Sequence, residues 1–129
     1  MKQVQNNSSD VEKWLKLIRA DGVGPVTFAE LIRHLGSVDR VLGASVSELS
    51  KVDGIGARTA ERIASTRNKF DAARELSRCE KLGVWLLTSE DERFPPVLKR
   101  IYDPPPVLYV QGELIREDNL AMAIIGSRR

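Results

Sequence analysis

Apolar residues recur at helical spacing through the first two thirds of the chain and give way to short continuous runs in the last third. Ser9-x-x-Glu12 has the form of a capping box around the start of an apolar set, Val11, Trp14, Leu15 and Ile18. It predicts a helix from about Asp10 to Ala20. Gly22-Val23-Gly24-Pro25 ends that helix, and Pro25 suits the first turn of the next one. The second helix carries Phe28, Leu31, Ile32 and Leu35 and stops at Gly36. A short helix is expected near Asp39–Leu42, and Ser45-x-x-Glu48 offers a second capping box for a turn ending near Ser50. From Ala57 the pattern stays helical to about Leu82, with Ile63, Phe70, Ala73 and Leu76 as core positions, Asn68 as a candidate break and Gly83 as the C-cap.

The period then changes. Val84-Trp85-Leu86-Leu87-Thr88 reads as a buried strand, followed by the polar loop Ser89–Arg93 and a proline-started turn of helix within Phe94–Ile101. Asp103-Pro104-Pro105-Pro106 is a rigid connector into a second strand, Val107–Val110, that closes at Gln111-Gly112. Ala121–Ile125 ends in Gly126 and reads as a strand of a parallel sheet, apolar because both faces of such a sheet are covered. No helix follows it, so the chain is expected to be an N-terminal fragment. The expected organisation is a disordered lead-in over 1–9, a helical domain over 10–70 and the start of an α/β domain over 71–129.

A repeat lies inside the helical part. Asp21-Gly22-Val23-Gly24-Pro25-Val26-Thr27 aligns with Asp53-Gly54-Ile55-Gly56-Ala57-Arg58-Thr59 at an offset of 32 residues. Each copy joins one apolar helix to the next, which resembles the helix-hairpin-helix motif, here in tandem. Glycines permit a tight hairpin whose backbone N–H groups, at a helix N-terminus, can hold a phosphate. Such contacts are blind to sequence. Only the second copy has cations beside it, Arg58 and Arg62 with Lys51 before, so Gly54, Gly56, Arg58 and Arg62 are candidate DNA contacts. The same hairpins also serve simply to fold a five-helix unit around Leu17, Ile18, Leu31, Leu49, Ile55 and Ile63.

Charge changes the picture little. Net charge is +2, but residues 51–83 hold eight basic and five acidic side chains, a local excess of +3 that suits a polyanion or a solvated helix face. A single cysteine, Cys79, excludes an intrachain disulfide and fits a reducing, cytoplasmic setting. The single histidine, His34, lies on an apolar helical pattern and reads as a surface residue. Glu90-Asp91-Glu92 reads as a solvated turn, because consecutive loop carboxylates diverge, so no metal and no catalytic residue is assigned. Apolar runs are far too short to span a bilayer, and the first residues have no secretory h-region. Trp85 and Tyr109 would stack on bases only if exposed, and their strand positions favour core packing.

The order of blocks in the second half is more specific than any single motif. Leu82-Gly83-Val84, Phe94-Pro95-Pro96-Val97-Leu98, Asp103-Pro104-Pro105-Pro106-Val107-Leu108-Tyr109-Val110-Gln111-Gly112 and Ala123-Ile124-Ile125-Gly126-Ser127-Arg128-Arg129 closely resemble the DNA-processing protein A (Smf) family. The resemblance covers roughly residues 11–129. It implies an α+β chain: an all-α tandem helix-hairpin-helix (SAM-like) domain, then the first strands of a Rossmann-like α/β domain that binds single-stranded DNA. It implies no enzyme activity and no cofactor, a homodimer, and a role in natural transformation. There the family protects incoming single strands and helps load a RecA-type recombinase on DNA coated by single-strand-binding protein. The family's Gly-Ser/Thr-Arg phosphate pocket falls on Gly126, Ser127 and Arg128, with Arg129 adjacent. Elementary chemistry agrees: Gly126 allows close approach, Ser127 donates through hydroxyl and N–H, and Arg128 can clamp a phosphate with two bonds. Arg128 pairing with a structural carboxylate is the competing reading. Nucleotide-cleaving phosphoribohydrolases also carry Gly-Ser-Arg after a strand, and a duplex- or junction-binding helix-hairpin-helix protein is a third reading. A dinucleotide-binding dehydrogenase does not fit, because both Gly-x-Gly pairs sit between helices.

Overall fold

The computed structural model describes residues 8–112, in the order α1 (Ser8–Ile18), α2 (Pro25–Leu35), α3 (Val38–Leu42), α4 (Val46–Ser50), α5 (Ala57–Thr66), α6 (Ala72–Lys81), β1 (Val84–Thr88), α7 (Pro96–Lys99) and β2 (Val107–Gln111). Local chemistry sets most of these bounds. Pro25 opens α2, and Gly36, at φ 104°, closes it by donating its N–H to the Ile32 carbonyl. Ser37 caps α3 by accepting from the Arg40 N–H. At α4 the expected capping box is complete: Ser45 accepts from the Glu48 N–H while the Glu48 carboxylate accepts from the Ser45 N–H. Those hydrogen bonds from Ser45 hold the Glu48 carboxyl below the usual carboxylate range. The box expected at Ser9 falls instead inside α1, whose described span already includes Ser8.

The helix expected to run on from Ala57 is two helices. Ser65 and Thr66 turn their hydroxyls back onto the Arg62 carbonyl, which competes with helix propagation, and Asp71 starts α6 by accepting from the Arg74 N–H at 3.1 Å. Gly83, at φ 73°, then takes the chain out of α6 and into β1. The boundary expected at residue 70 falls in the turn between α5 and α6.

β1 and β2 pair antiparallel, from Val84 opposite Gln111 to Thr88 opposite Val107. Both expected strands are therefore present, but among the described residues the sheet is two-stranded and antiparallel rather than parallel. The intervening chain explains why. A parallel pair needs a crossover, usually a full helix, whereas here the proline-rich segment holds one turn, α7, and brings the chain straight back. The strand expected at 121–125, Gly126, Ser127, Arg128 and Arg129, and the lead-in before Ser8 lie outside the described residues.

Three apolar clusters hold the elements together. The first joins α1 to α5, with Leu17, Leu31, Val41, Leu49, Ala60 and Ile63 wholly buried and Trp14 stacked at a tilt on Phe28, centroids 5.0 Å apart. The second packs Val11 and Leu15 of α1 with Ala72 and Cys79 of α6 against Leu86 of β1. The third packs Phe94 and Leu98 onto Leu87, Leu108 and Val110. Strand alternation sends Leu86 to one cluster and Leu87 to the other, so both faces of the small sheet are covered.

Glu75 ties this arrangement at its polar edge. It accepts a 2.8 Å hydrogen bond from the Tyr109 hydroxyl and faces Arg19 and Arg78 at 3.9 and 3.6 Å, while the Arg19 guanidinium lies 4.4 Å over the Phe70 ring. Burial, then the bond to Glu75, pushes the Tyr109 phenol up to about 12 from 10.0. A raised pKa means that the folded state favours the neutral phenol, so this contribution to stability is complete below pH 10 and lost as pH rises towards 12. Denaturant midpoints compared at about pH 8 and about pH 11 should fall further for the native chain than for Tyr109→Phe, and the phenolate absorbance of Tyr109 should appear only near pH 12.

Candidate nucleic-acid interface

Both hairpins follow one backbone path. Gly22 and Gly54 take φ of 89° and 84°, a conformation in which a Cβ would be strained. The next residue points inward, Val23 at 8% and Ile55 at 5% exposure, and their N–H groups close the turns on the Ala20 and Val52 carbonyls at 3.2 and 3.0 Å. Gly24 and Gly56 are then extended N-caps of α2 and α5 with no side-chain cap, so the first-turn amides of each helix have no capping side chain to accept from them.

What surrounds them differs. A Cβ on Gly22 would lie 3.3 Å from Cγ2 of Thr59, and the adjoining Asp21 N–H donates to Thr66 Oγ1 at 2.8 Å. The first hairpin is therefore seated on α5. The corresponding contact of Gly54 with Thr27 is not made: a Cβ on Gly54 or Gly56 would meet no heavy atom within 4 Å beyond its chain neighbours. The first hairpin continues into Pro25, which has no N–H, and Val26, which is 45% exposed. Where the first copy has Val26 and Glu30, the second has Arg58 and Arg62, one helical turn apart on α5 and both exposed. Neither enters any ion pair among the described residues, though the exposed acids Asp53 and Glu61 temper the local field.

Arg67, which sequence alone would add to the same basic stretch, serves the fold instead. It donates from Nη1 to the Val41 carbonyl at 2.9 Å, pinning the end of α5 to α3, and its burial lowers its pKa. Two other groups are also committed. Trp85 donates from Nε1 to the Gly112 carbonyl at 2.7 Å beneath the Arg93 guanidinium, and Asp91 takes Arg93 at 2.9 and 2.8 Å, which holds its carboxyl low. Trp85 and Tyr109 are half-buried and pack against the third and second apolar clusters respectively, so neither offers a free face. Burial pushes the Cys79 thiol up, which keeps it protonated and poorly nucleophilic. Among the described residues no cluster of three His, Cys, Asp or Glu side chains could hold a metal, and no helix is long and apolar enough to cross a membrane.

Residues 15–69 match the family described as a SAM-like helix-hairpin-helix tandem. Residues 85–129 match the family described as DNA recombination-mediator protein A. Protein Smf of Synechocystis sp. is 30% identical over 125 residues, which is 94% of this chain and 31% of that protein. A DNA ligase of Chlamydia trachomatis is 27% identical over 92 residues, 71% of this chain and 14% of the ligase. The UvrABC system protein C of Salinispora arenicola is 51% identical over 47 residues, 36% of this chain and 7% of that protein. The chain thus spans about a third of the length of the Smf relative and much less of the other two.

The unequal surroundings of the two hairpins can be checked without DNA. Gly22→Ala and Gly54→Ala both force a Cβ into positive φ, at a cost of about 1–2 kcal/mol. Gly22→Ala must in addition displace Thr59. Urea unfolding should show Gly22→Ala as the more destabilised of the two, and equal losses would mean that the first hairpin is not seated on α5.

Proposed function

We infer that this chain, which belongs to the DNA-processing protein A (Smf) family, binds DNA in recombination by holding the sugar-phosphate backbone. The contrast between the hairpins carries this reading: in the first Gly22 is closed off by Thr59 although Gly24 is open, whereas the second leaves both glycines open and adds Arg58 and Arg62, which enter no ion pair among the described residues. A phosphate seated at Gly54 and Gly56 would meet the uncapped amides of α5, with Arg58 and Arg62 supplying charge and forked hydrogen bonds beside it. The glycines matter because a side chain there would hold the strand away from those amides. We assign a second phosphate pocket to Gly126, Ser127, Arg128 and Arg129.

On this reading the preferred ligand is single-stranded DNA and the protein is not an enzyme. It shields incoming single strands during natural transformation and helps a RecA-type recombinase displace single-strand-binding protein, acting as a homodimer in the cytoplasm. Backbone binding blind to sequence is what such a role requires, since incoming strands share no sequence. One observation favours a second reading, duplex or junction binding through the hairpins: a DNA ligase and a UvrABC system protein C are similar to parts of this chain.

Fluorescence anisotropy of the protein on oligo-dT and on a matched duplex, across salt, separates the two. Tighter binding to the single strand is expected, weakened by Arg128→Ala and by Arg58→Ala/Arg62→Ala. The double variant should also lower the slope of log K against log salt by roughly 0.7 for each phosphate it no longer neutralises. Duplex preference untouched by Arg128→Ala moves the function to the hairpin. Affinity and slope unchanged in the double variant remove the second hairpin from the interface.

A further inference from the structure

From the last residue of α7 towards the three prolines the chain presents Lys99-Arg100-Ile101-Tyr102 to solvent. Tyr102 is 89% exposed, the most exposed large apolar side chain among the described residues, and Ile101 beside it is 45% exposed. A ring left in water contributes nothing to the core, so its position is not explained by packing. Its neighbours are cations. Lys99 and Arg100 are both exposed, and neither lies within ion-pair distance of a carboxylate among the described residues, although Asp103 follows in the same loop.

The loop has a firm base. Pro106 is buried, its carbonyl accepts from the Ser89 N–H at 2.9 Å, and Pro104 and Pro105 restrict the backbone between it and Tyr102. Ordering such a segment on a ligand costs less entropy than ordering a flexible one. Its location is also informative. Lys99 and Pro104 line a cleft of about 400 Å³ together with Pro25, Phe28 and Ile32 of α2 and Glu90. The loop therefore stands beside the first hairpin, the copy without cations of its own.

We propose that this loop is a second strand contact, in which Tyr102 stacks on a nucleobase while Lys99 and Arg100 meet the flanking phosphates. The ligand class is single-stranded nucleic acid, because a base inside a duplex has both faces covered by its neighbours. An aromatic ring flanked by cations is the general means of holding such a strand without reading its sequence. The inference rests on the DNA-binding reading above and places a contact apart from the second hairpin.

The test is anisotropy of the protein on oligo-dT and duplex with Tyr102→Ala, Tyr102→Phe and Lys99→Gln/Arg100→Gln, alongside Arg58→Ala/Arg62→Ala. Removing one stacked base should weaken oligo-dT binding at least about fivefold. Tyr102→Ala should do so with the salt slope and duplex affinity unchanged, and Tyr102→Phe should bind within about twofold of the parent. Lys99→Gln/Arg100→Gln should weaken binding and flatten the slope. Full oligo-dT affinity in Tyr102→Ala, with Arg58→Ala/Arg62→Ala still impaired, overturns this contact and leaves the DNA-binding reading standing. Equal losses on single strand and duplex overturn stacking as its basis. A parent protein that binds neither DNA overturns both.

Discussion

The arrangement depends on α1 having two apolar faces and burying both. Trp14 and Leu17 close the core of the five-helix unit, while Val11 and Leu15, on the other side of the same helix, complete the cluster under the sheet. An eleven-residue helix is marginal alone in water, so α1 exists because two neighbours need it. Ile18 packs on both clusters, and Arg19 immediately after it reaches Glu75 and Phe70. One helix thus fixes how the hairpins stand relative to β1 and β2. Any surface that uses residues from both regions, such as the cleft between α2 and the proline loop, inherits its geometry from that helix.

The two hairpins share one backbone path and differ in what surrounds it. Both copies keep a glycine at positive φ, an inward β-branched residue and an extended glycine cap, which are the demands of the turn itself. Around that shared path the first copy became structural, its Asp21 amide and Gly22 backbone held against α5. The second remained open at the surface with Arg58 and Arg62. The first is therefore part of what keeps α5 in place, and α5 is the helix whose N-terminus the second presents.

What could be read from the sequence was local. Gly-x-Gly pairs, Pro25 at a helix start, the Ser45–Glu48 box and Gly83 as a terminator each act over a turn or so of chain, and the structure has them where their spacing puts them. The arginines beside the second hairpin were also visible, because i, i+4 spacing on a helix fixes their common face. Contacts between distant residues were not. Nothing in the order of residues links Asp21 to Thr66, 45 positions on, or tells Arg67 from Arg62. The split of the long helix was missed because Ser65 and Thr66 bond backwards, and a propensity pattern does not register that. The direction of strand pairing depended on how much helix the connection contains, and the exposure of Tyr102 on where the prolines brace it. Both are properties of the folded chain.

α1 also has a place in time. It is the first of these elements to leave the ribosome, yet its partner Leu86 follows Leu15 by roughly 70 residues. At ordinary synthesis rates that is a wait of about 4–14 s. During that interval Trp14 and Leu17 can dock on the emerging hairpin helices, and Ala72 and Cys79 of α6 can reach Val11 and Leu15, but the second cluster closes only when Leu86 of β1 appears. The helix made first among these is therefore one of the last to be finished.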